Sequence, residues 1–295
     1  MVEINRLVLR APAKINWLLQ VCGRQDDGYH QLHSLMQSIS LCDRVSLTIA
    51  EADSCSCPGL NCPAEKNLAL RVWLALKRHC GISQSLAIEI TKNIPDGGGL
   101  GGGSADAAAV LLGAKQLFNI DITLEQLCEL AFPLGADIPF CLHGGLAEIV
   151  GAGETVIPQP IDKTYELLLV SPRLSLSTAS VFQNYDALPP RAPRINPPEL
   201  LAALRSGQPR LIVDKLENML EPAAIVLCPH IAEIKNILAD LGFSALMSGS
   251  GSCVFALCTG DEAQDAAALT ALRQRGFFAE KLTTLTQGVK IVSEA

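Results

Sequence analysis

Apolar and polar positions alternate over residues 7 to 22, where Ile15, Trp17, Leu19 and Val21 interleave with Asn16, Leu18 and Gln20. That period of two predicts a strand with distinct faces. Val45, Leu47 and Ile49 predict a second strand, and Leu86, Ile88 and Ile90 a third. Between these two, Glu65-Lys66-Asn67-Leu68 opens a helix that runs to about Cys80. Ala107, Val110, Leu111, Ala114, Leu117 and Phe118 then share one helical face. Thr123-x-x-Gln126 is a capping box for a further short helix, stopped by Pro133 and Gly135. Gly144-Gly145 and Gly151-Ala152-Gly153-Glu154 punctuate a strand pair.

The pattern changes near Ile161, after Pro158 and Pro160. Glu166 to Val170 reads as a buried strand, and a proline-rich stretch runs from Pro189 to Pro198. Helical patterns follow at 199–206, 210–220 and 229–241. Val254 to Leu257 is a strand, Asp261 to Arg275 a helix, and Phe277 to Leu285 a closing strand. Strand–helix–strand at the end predicts an α+β sandwich. The expected fold is α+β with two domains, 1–160 and 161–295, and no internal repeats.

The most distinctive stretch lies between the third strand and the alanine-rich helix. Pro95, Asp96, Gly97, Gly98, Gly99, Leu100, Gly101, Gly102, Gly103 and Ser104 place six glycines around one leucine. Glycine lets backbone approach an anion closely and take positive φ. The N–H groups of such a loop, backed by a helix dipole, bind phosphate. Ser104 is the expected N-cap, with Asp106 in the first turn suiting the dipole. A flexible linker is the weaker reading, because linkers mix Ser, Gly and Pro between domains. Three common nucleotide motifs fail here. A Walker A loop requires Lys where Ser104 stands. A dinucleotide fold requires a second strand ending in an acid, where Asn119 to Thr123 leads into a helix. A protein-kinase glycine loop lies between two strands.

Composition narrows the class. The chain has 295 residues, 49% hydrophobic and 18% charged, so a large core is available and the composition disfavours disorder. The net charge of −7 disfavours nucleic acid and anionic membranes as partners. No apolar run reaches membrane-spanning length and Met1 to Arg6 carries no signal-peptide pattern, so a cytoplasmic protein is expected. Of eleven cysteines, Cys55, Cys57 and Cys62 cluster without a fourth ligand at zinc spacing. Cys22, Cys128, Cys141, Cys253 and Cys258 sit in apolar segments and read as reduced core residues.

Several lone residues carry two readings each. Lys14 and Asn16 share one strand face in Ala11-Pro12-Ala13-Lys14-Ile15-Asn16. Lys14 is either a solvated side chain or an anion ligand. Tyr29 and His30 follow the Asp27-Gly28 turn, as surface residues or as a base-recognition pair. Asp137, between Ala136 and Ile138, either caps a turn or is a part-buried carboxylate needing a partner such as Lys14.

Taken together, Pro12 to Asn16, the Pro95-to-Asp106 loop and Met247-Ser248-Gly249-Ser250-Gly251-Ser252 resemble the galactokinase, homoserine kinase, mevalonate kinase and phosphomevalonate kinase (GHMP) superfamily. The resemblance spans nearly the whole chain. Asp27 to His30, Gly135 to Pro139 and Gly151 to Glu154 resemble its branch acting on a cytidine diphosphate-linked methylerythritol in isoprenoid biosynthesis. Ala105 stands where a second Ser is common and Gly98 where Ala is common. The resemblance implies a domain like domain 2 of ribosomal protein S5, followed by a ferredoxin-like sandwich. It implies ATP-dependent phosphorylation of a small-molecule hydroxyl, with Asp137 as base and Lys14 stabilising charge. The Gly97–Ser104 loop would hold the ATP phosphates, Ser104 would contact Mg²⁺, and Asn67 with Leu68 would border the adenine. Tyr29 and Phe182 would sandwich the cytosine, His30 would read its edge, and Asn16 and Thr178 would contact the substrate. Gly249 to Gly251 would close over the phosphate region. A monomer or weak homodimer is expected.

Three alternatives stay open: a homoserine- or mevalonate-type kinase of the superfamily, a non-catalytic sensor, and RNA binding through the S5-like half. Tyr29 and His30 disfavour the first, Lys14 with Asp137 the second, and the acidic balance the third.

Overall fold

A computed structural model of the chain describes all residues except 1–4, 25–27, 29, 60–62 and 295. Tyr29 and Cys62 therefore lie outside the described residues.

Two long strands, β1 (Arg6–Arg24) and β2 (His30–Ala50), form an antiparallel hairpin. After β3 (Ser54–Ser56) comes α1 (Leu68–Cys80), then β4 (Ser85–Thr91), the glycine loop, and α2 (Gly102–Leu117). Two short helices, α3 (Leu124–Ala131) and α4 (Ile138–His143), precede the hairpin β5 (Leu146–Gly151) and β6 (Thr155–Gln159). Thr123 and Gln126 form the expected capping box. The first sheet runs β3-β4-β2-β1, with β5 joining the later part of the chain to β2. The helices α1 and α2 pack on it around Trp73, Leu76, Val110 and Leu111.

The second half begins with β7 (Glu166–Ser171), followed by α5 (Thr178–Asp186), α6 (Pro197–Ser206) and α7 (Pro209–Val213). The helix expected at 210–220 is cut short. It stops at Val213, and Glu217–Asn218 instead make β8, which pairs in parallel with Leu18–Leu19 of β1. Buried Glu217 is needed there, because its carboxylate accepts from Gln20 Nε2 at 2.8 Å and from Arg194. Helices α8 (Glu221–Leu227) and α9 (His230–Asp240) lead to β9 (Ala245–Met247) and β10 (Val254–Leu257). Then come α10 (Glu262–Gln274), capped by Asp261, and β11 (Phe278–Thr283). The second sheet is antiparallel, in the order β11-β7-β10-β9.

The chain does not finish at β11. A last strand, β12 (Lys290–Glu294), pairs with Leu7–Arg10 of β1. The division expected at 160/161 falls between β6 and β7, yet β8 and β12 both return to the first sheet.

Strand β1 links the two halves through a change of register between Pro12 and Lys14. Before it, Leu7, Leu9 and Ala11 enter the core under α1 and α2. After it, Ala13, Ile15 and Trp17 pack on the second sheet beside Leu167, Leu169 and Phe255. A bulge lets one strand serve two cores, and it tolerates Pro12, which donates no ladder bond. Trp17 meets Tyr165 and Phe255 edge-on at centroid distances of 5.9 and 5.5 Å, and its Nε1 donates to Gln37 Oε1 at 2.8 Å. Truncating such a side chain costs about 3–5 kcal/mol.

Helix α2 departs from the one-faced pattern expected of it. Ala105, Ala107, Ala108, Ala109, Val110, Leu111 and Ala114 are all buried. Small residues let it sit between the sheet and two other helices, and a Cβ on Gly113 would fall 2.4 Å from Leu47 Cδ1. Cys141, Cys253 and Cys258 are buried as expected, and burial pushes the Cys253 thiol up to about 12. Cys128 is only partly buried and Cys22 is exposed, contrary to expectation, because β1 has left the core by residue 22.

Candidate active site

The glycine loop crosses from the first sheet to the second half and is tied down by its carbonyls. Asp96 O accepts from Ser175 Oγ at 3.0 Å, Gly97 O from Leu176 N at 3.1 Å and Gly98 O from Cys253 N at 3.0 Å. Gly99 O accepts from Ser248 Oγ at 3.1 Å, and Leu100 O from Lys14 N at 2.9 Å. The 248–253 loop is thus the partner of the glycine loop. Asn218 holds it in turn, donating at 2.8 Å to both Met247 O and Gly249 O. The glycines are required by crowding as well as by φ. A Cβ on Gly99, at φ +74°, would lie 2.2 Å from Ser248 O.

Tying back the carbonyls leaves the helix start open. The N-cap of α2 is Gly101, in the left-handed region at φ 69°, with no side-chain cap. Ser104 is therefore the third helical residue and not the cap, so its hydroxyl is not spent on the backbone. The first N–H groups of an α-helix have no intrahelical partner, and among the described residues no side chain takes them here. An anion is the ligand such a terminus accepts.

Asp106 also departs from expectation. It lies beyond the first turn and is buried, and its Oδ2 accepts from Lys92 Nζ at 2.7 Å. Lys92 bridges to Asp43, whose other oxygen accepts from Asn93 N at 2.6 Å and Ile94 N at 2.9 Å. Burial, reinforced by the Asp43 carboxylate, pushes Asp106 up to about 7 against the pull of Lys92. Among the described residues, Asp106 Oδ1 has no hydrogen-bond partner.

A cleft of about 940 Å³ opens in front of α2. Pro95, Asp96, all six glycines, Leu100 and Ser104 line it, together with Lys14, Asn16, Asp137, His30, Thr178 and Phe182. Lys14 Nζ donates to Asn16 Oδ1 at 2.8 Å and lies 3.5 Å from Asp137 Oδ2. Asn16 Nδ2 donates to Ser34 Oγ at 2.9 Å, so a chain of buried polar groups fixes the lysine. The Lys14 side chain is 4% exposed and that of Asp137 34%, which leaves the carboxylate reachable from the cleft. Asp137 stands at the N-cap position of α4 without making a side-chain cap bond. Its carboxylate is free for other work.

At the far end of the cleft, the imidazole of His30 stacks on Phe182 with centroids 4.6 Å apart, and Thr178 Oγ1 lies 2.9 Å from Ser250 Oγ. The face of Phe182 expected to stack on a base is paired here with His30. Asn67 is the outlier. It does not line the cleft although Leu68 does, and its Oδ1 caps α1 by accepting from Ala69 N at 3.0 Å. Arg24, Lys92 and Asp186 also line the cleft and went unseen in the sequence. For Asp186 a signal existed, because it falls one helical turn after Phe182.

Known proteins match this architecture along its length. Two family models match, GHMP kinases N terminal domain over residues 67–145 and GHMP kinases C terminal over residues 200–276. The 4-diphosphocytidyl-2-C-methyl-D-erythritol kinase of Desulfitobacterium hafniense (strain Y51) is 39% identical over 288 residues, covering 96% of this chain and 98% of the relative. The chain belongs to the 4-diphosphocytidyl-2-C-methyl-D-erythritol kinase family. The kinase of that name from Syntrophotalea carbinolica is 42% identical, covering 87% of this chain and 91% of the relative. A crystal structure of a 4-(cytidine 5'-diphospho)-2C-methyl-D-erythritol kinase superposes with a TM-score of 0.77 at 34% identity, covering 94% of this chain and 99% of that one. A homoserine kinase from Cytophaga hutchinsonii shares the fold, with a TM-score of 0.75 at 23% identity, covering 99% of each chain. The two-domain α+β kinase fold expected from the sequence is the one observed. Members of this kinase family are ATP-dependent, so the chain is a small-molecule kinase. Among the described residues no single helix is long and apolar enough to cross a membrane.

Proposed function

We propose that the chain transfers the γ-phosphoryl group of ATP to the 2-hydroxyl of 4-diphosphocytidyl-2-C-methyl-D-erythritol, giving the 2-phosphate and ADP. The observation that carries this reading is the Lys14–Asp137 pair, 3.5 Å apart in the same cleft as the uncapped start of α2 and the His30–Phe182 stack.

The roles follow from the chemistry of each group. The N–H groups of Gly102, Gly103 and Ser104 open α2 with its dipole behind them. They suit the ATP phosphates. Ser104, with its hydroxyl not used in capping, would be the residue to contact Mg²⁺, and an ion held there would neutralise phosphate charge. Lys14 places a buried positive charge where negative charge spreads over the transferring phosphoryl group, which is where fixed charge contributes most. Asp137 accepts the proton of the substrate hydroxyl and, with Lys14 beside it, holds that oxygen in line. Asn16 keeps Lys14 in place and contacts the methylerythritol diphosphate, as does Thr178. His30 and Phe182 form the cytosine subsite, and Tyr29, which lies outside the described residues, is assigned to it by the sequence resemblance alone. Asn67 remains a candidate at the adenine edge only through its Nδ2, because Oδ1 is committed to the cap.

The test is a substrate panel. Purified protein with Mg-ATP should turn over the diphosphocytidyl substrate and leave mevalonate and homoserine untouched. Equal turnover of all three, or of mevalonate alone, would contradict the assignment.

A further inference from the structure

The base subsite contains a carboxylate with no part in the chemistry above. Helix α5 carries Phe182 and Asp186 one turn apart, on the same face. Phe182 holds the His30 ring by its flat face, at 4.6 Å and an interplanar angle of 21°. Asp186 Oδ1 holds the ring's edge, 2.7 Å from Nε2. Arg24 Nη1 lies 3.6 Å from the other carboxylate oxygen, Oδ2. The ring, carried by β2, is thus held by α5 on its face and its edge, and it lines the cleft.

An ionised carboxylate only accepts hydrogen bonds. A short contact with Asp186 therefore requires the proton of a neutral imidazole to sit on Nε2, which leaves Nδ1 as a lone-pair acceptor. Among the described residues no other side chain hydrogen-bonds to the ring. An acceptor in the subsite pairs with an amino group and opposes a carbonyl. Cytosine and uracil differ in this respect, an exocyclic amine in one standing where a carbonyl oxygen stands in the other.

We infer that Asp186 is a specificity-determining positioning residue: it fixes the tautomer of His30 and so makes the subsite select an amino-bearing pyrimidine over a carbonyl-bearing one. The inference rests on the kinase reading for its place in the reaction, but the tautomer and the base preference exist without turnover. Selection arises because the wrong base would set two acceptors face to face, and such unpaired polar contacts discriminate strongly.

Two variants test it, Asp186→Asn and Asp186→Ala. Asparagine can accept from or donate to Nε2, so Nδ1 is no longer held as an acceptor. Nitrogen NMR of the His30 ring should report the Nε2–H form in the parent protein and a mixture of tautomers in both variants. Calorimetry with CMP and UMP should show a preference for CMP that falls by about tenfold or more in both. In turnover, the KM for the cytidine substrate should rise while the KM for ATP holds. A parent protein without kinase activity but with the CMP preference and the Nε2–H tautomer would overturn the kinase reading alone. An unchanged tautomer, or an unchanged CMP-to-UMP ratio in both variants, would overturn the role of Asp186.

Discussion

Lys14 Nζ stands 3.5 Å from Asp137 Oδ2, although one residue comes from the first strand and the other from the turn before α4. What brings them together is the glycine loop. Leu100 O anchors the backbone of Lys14, and Gly101 is so close to both side chains that a Cβ there would lie 3.1 Å from Lys14 Cγ and 3.6 Å from Asp137 Oδ2. Lys14→Met removes the charge and keeps the bulk. It should lower kcat by about a thousandfold, the scale of losing a preorganised charge at a developing anion. Stability should fall only by about 1 kcal/mol, from the Asn16 acceptor left unpaired. A kcat within tenfold of the parent would remove Lys14 from the reaction.

The glycines divide into those that join the two halves and those that face the ligand. A methyl on Gly99 collides with Ser248 O at 2.2 Å and must also adopt φ +74°. Gly99→Ala should cost about 3 kcal/mol in urea unfolding, from overpacking plus left-handed strain. Gly103 has nothing within 4 Å of its would-be Cβ. Gly103→Ala should unfold like the parent, or slightly later because alanine favours the helix, yet raise the KM for ATP. Equal urea midpoints for the two variants would contradict this division.

Asp43 and Asp106 share Lys92 but not the same importance. Asp43 is fully buried and accepts two backbone N–H groups besides the lysine. Asp43→Ala should cost about 3 kcal/mol, because it strands both backbone donors and removes one of the two carboxylates that hold Lys92. Asp106 behaves differently with pH. Its folded value of about 7 lies above the ordinary 3.8, so the folded state holds the proton more tightly than the unfolded one. Its contribution is fully present below about pH 4 and is lost as the pH rises through 7. Asp106→Asn should therefore flatten the decline of stability between pH 4 and 7. Parallel melting-temperature profiles for parent and variant would show that Asp106 does not titrate there.

Asn67 separates a cap from a ligand contact. Asn67→Ala should lose about 1 kcal/mol of stability, and Asn67→Asp should lose almost none, since aspartate caps equally well. Thermal unfolding of the pair checks this. A matched loss in both variants would mean that the Nδ2 group, not the cap, holds the segment.

The framework of the fold was legible because alternation and helical spacing follow burial. Ile15 and Trp17 go to the core and Lys14 and Asn16 to the cleft, as a period of two requires. Capping at Thr123 was equally local. What failed was long-range. Ser104 reads as a cap only until Gly101 takes the left-handed position to pass Lys14. Asp106 reads as a dipole partner until Lys92, the residue after β4, reaches it. The helix expected at 210–220 gave way because Glu217 and Asn218 are needed beside β1 and the 248–253 loop. In the site, the glycine loop was visible as a single stretch. Arg24 gains meaning only from Asp186, a partner far away in sequence, which no local pattern encodes, whereas Asp186 was within reach of the Phe182 spacing.

The central claim is that Asp137 takes the proton from the substrate hydroxyl while Lys14 and the start of α2 hold the phosphates. Single-turnover phosphorylation by Asp137→Asn, paired with calorimetric binding of the same substrate, tests it most directly. The account predicts substrate binding close to that of the parent and a chemical step slowed by about 10²–10⁴-fold, the range of a lost general base. Phosphoryl transfer at near the parent rate would contradict it.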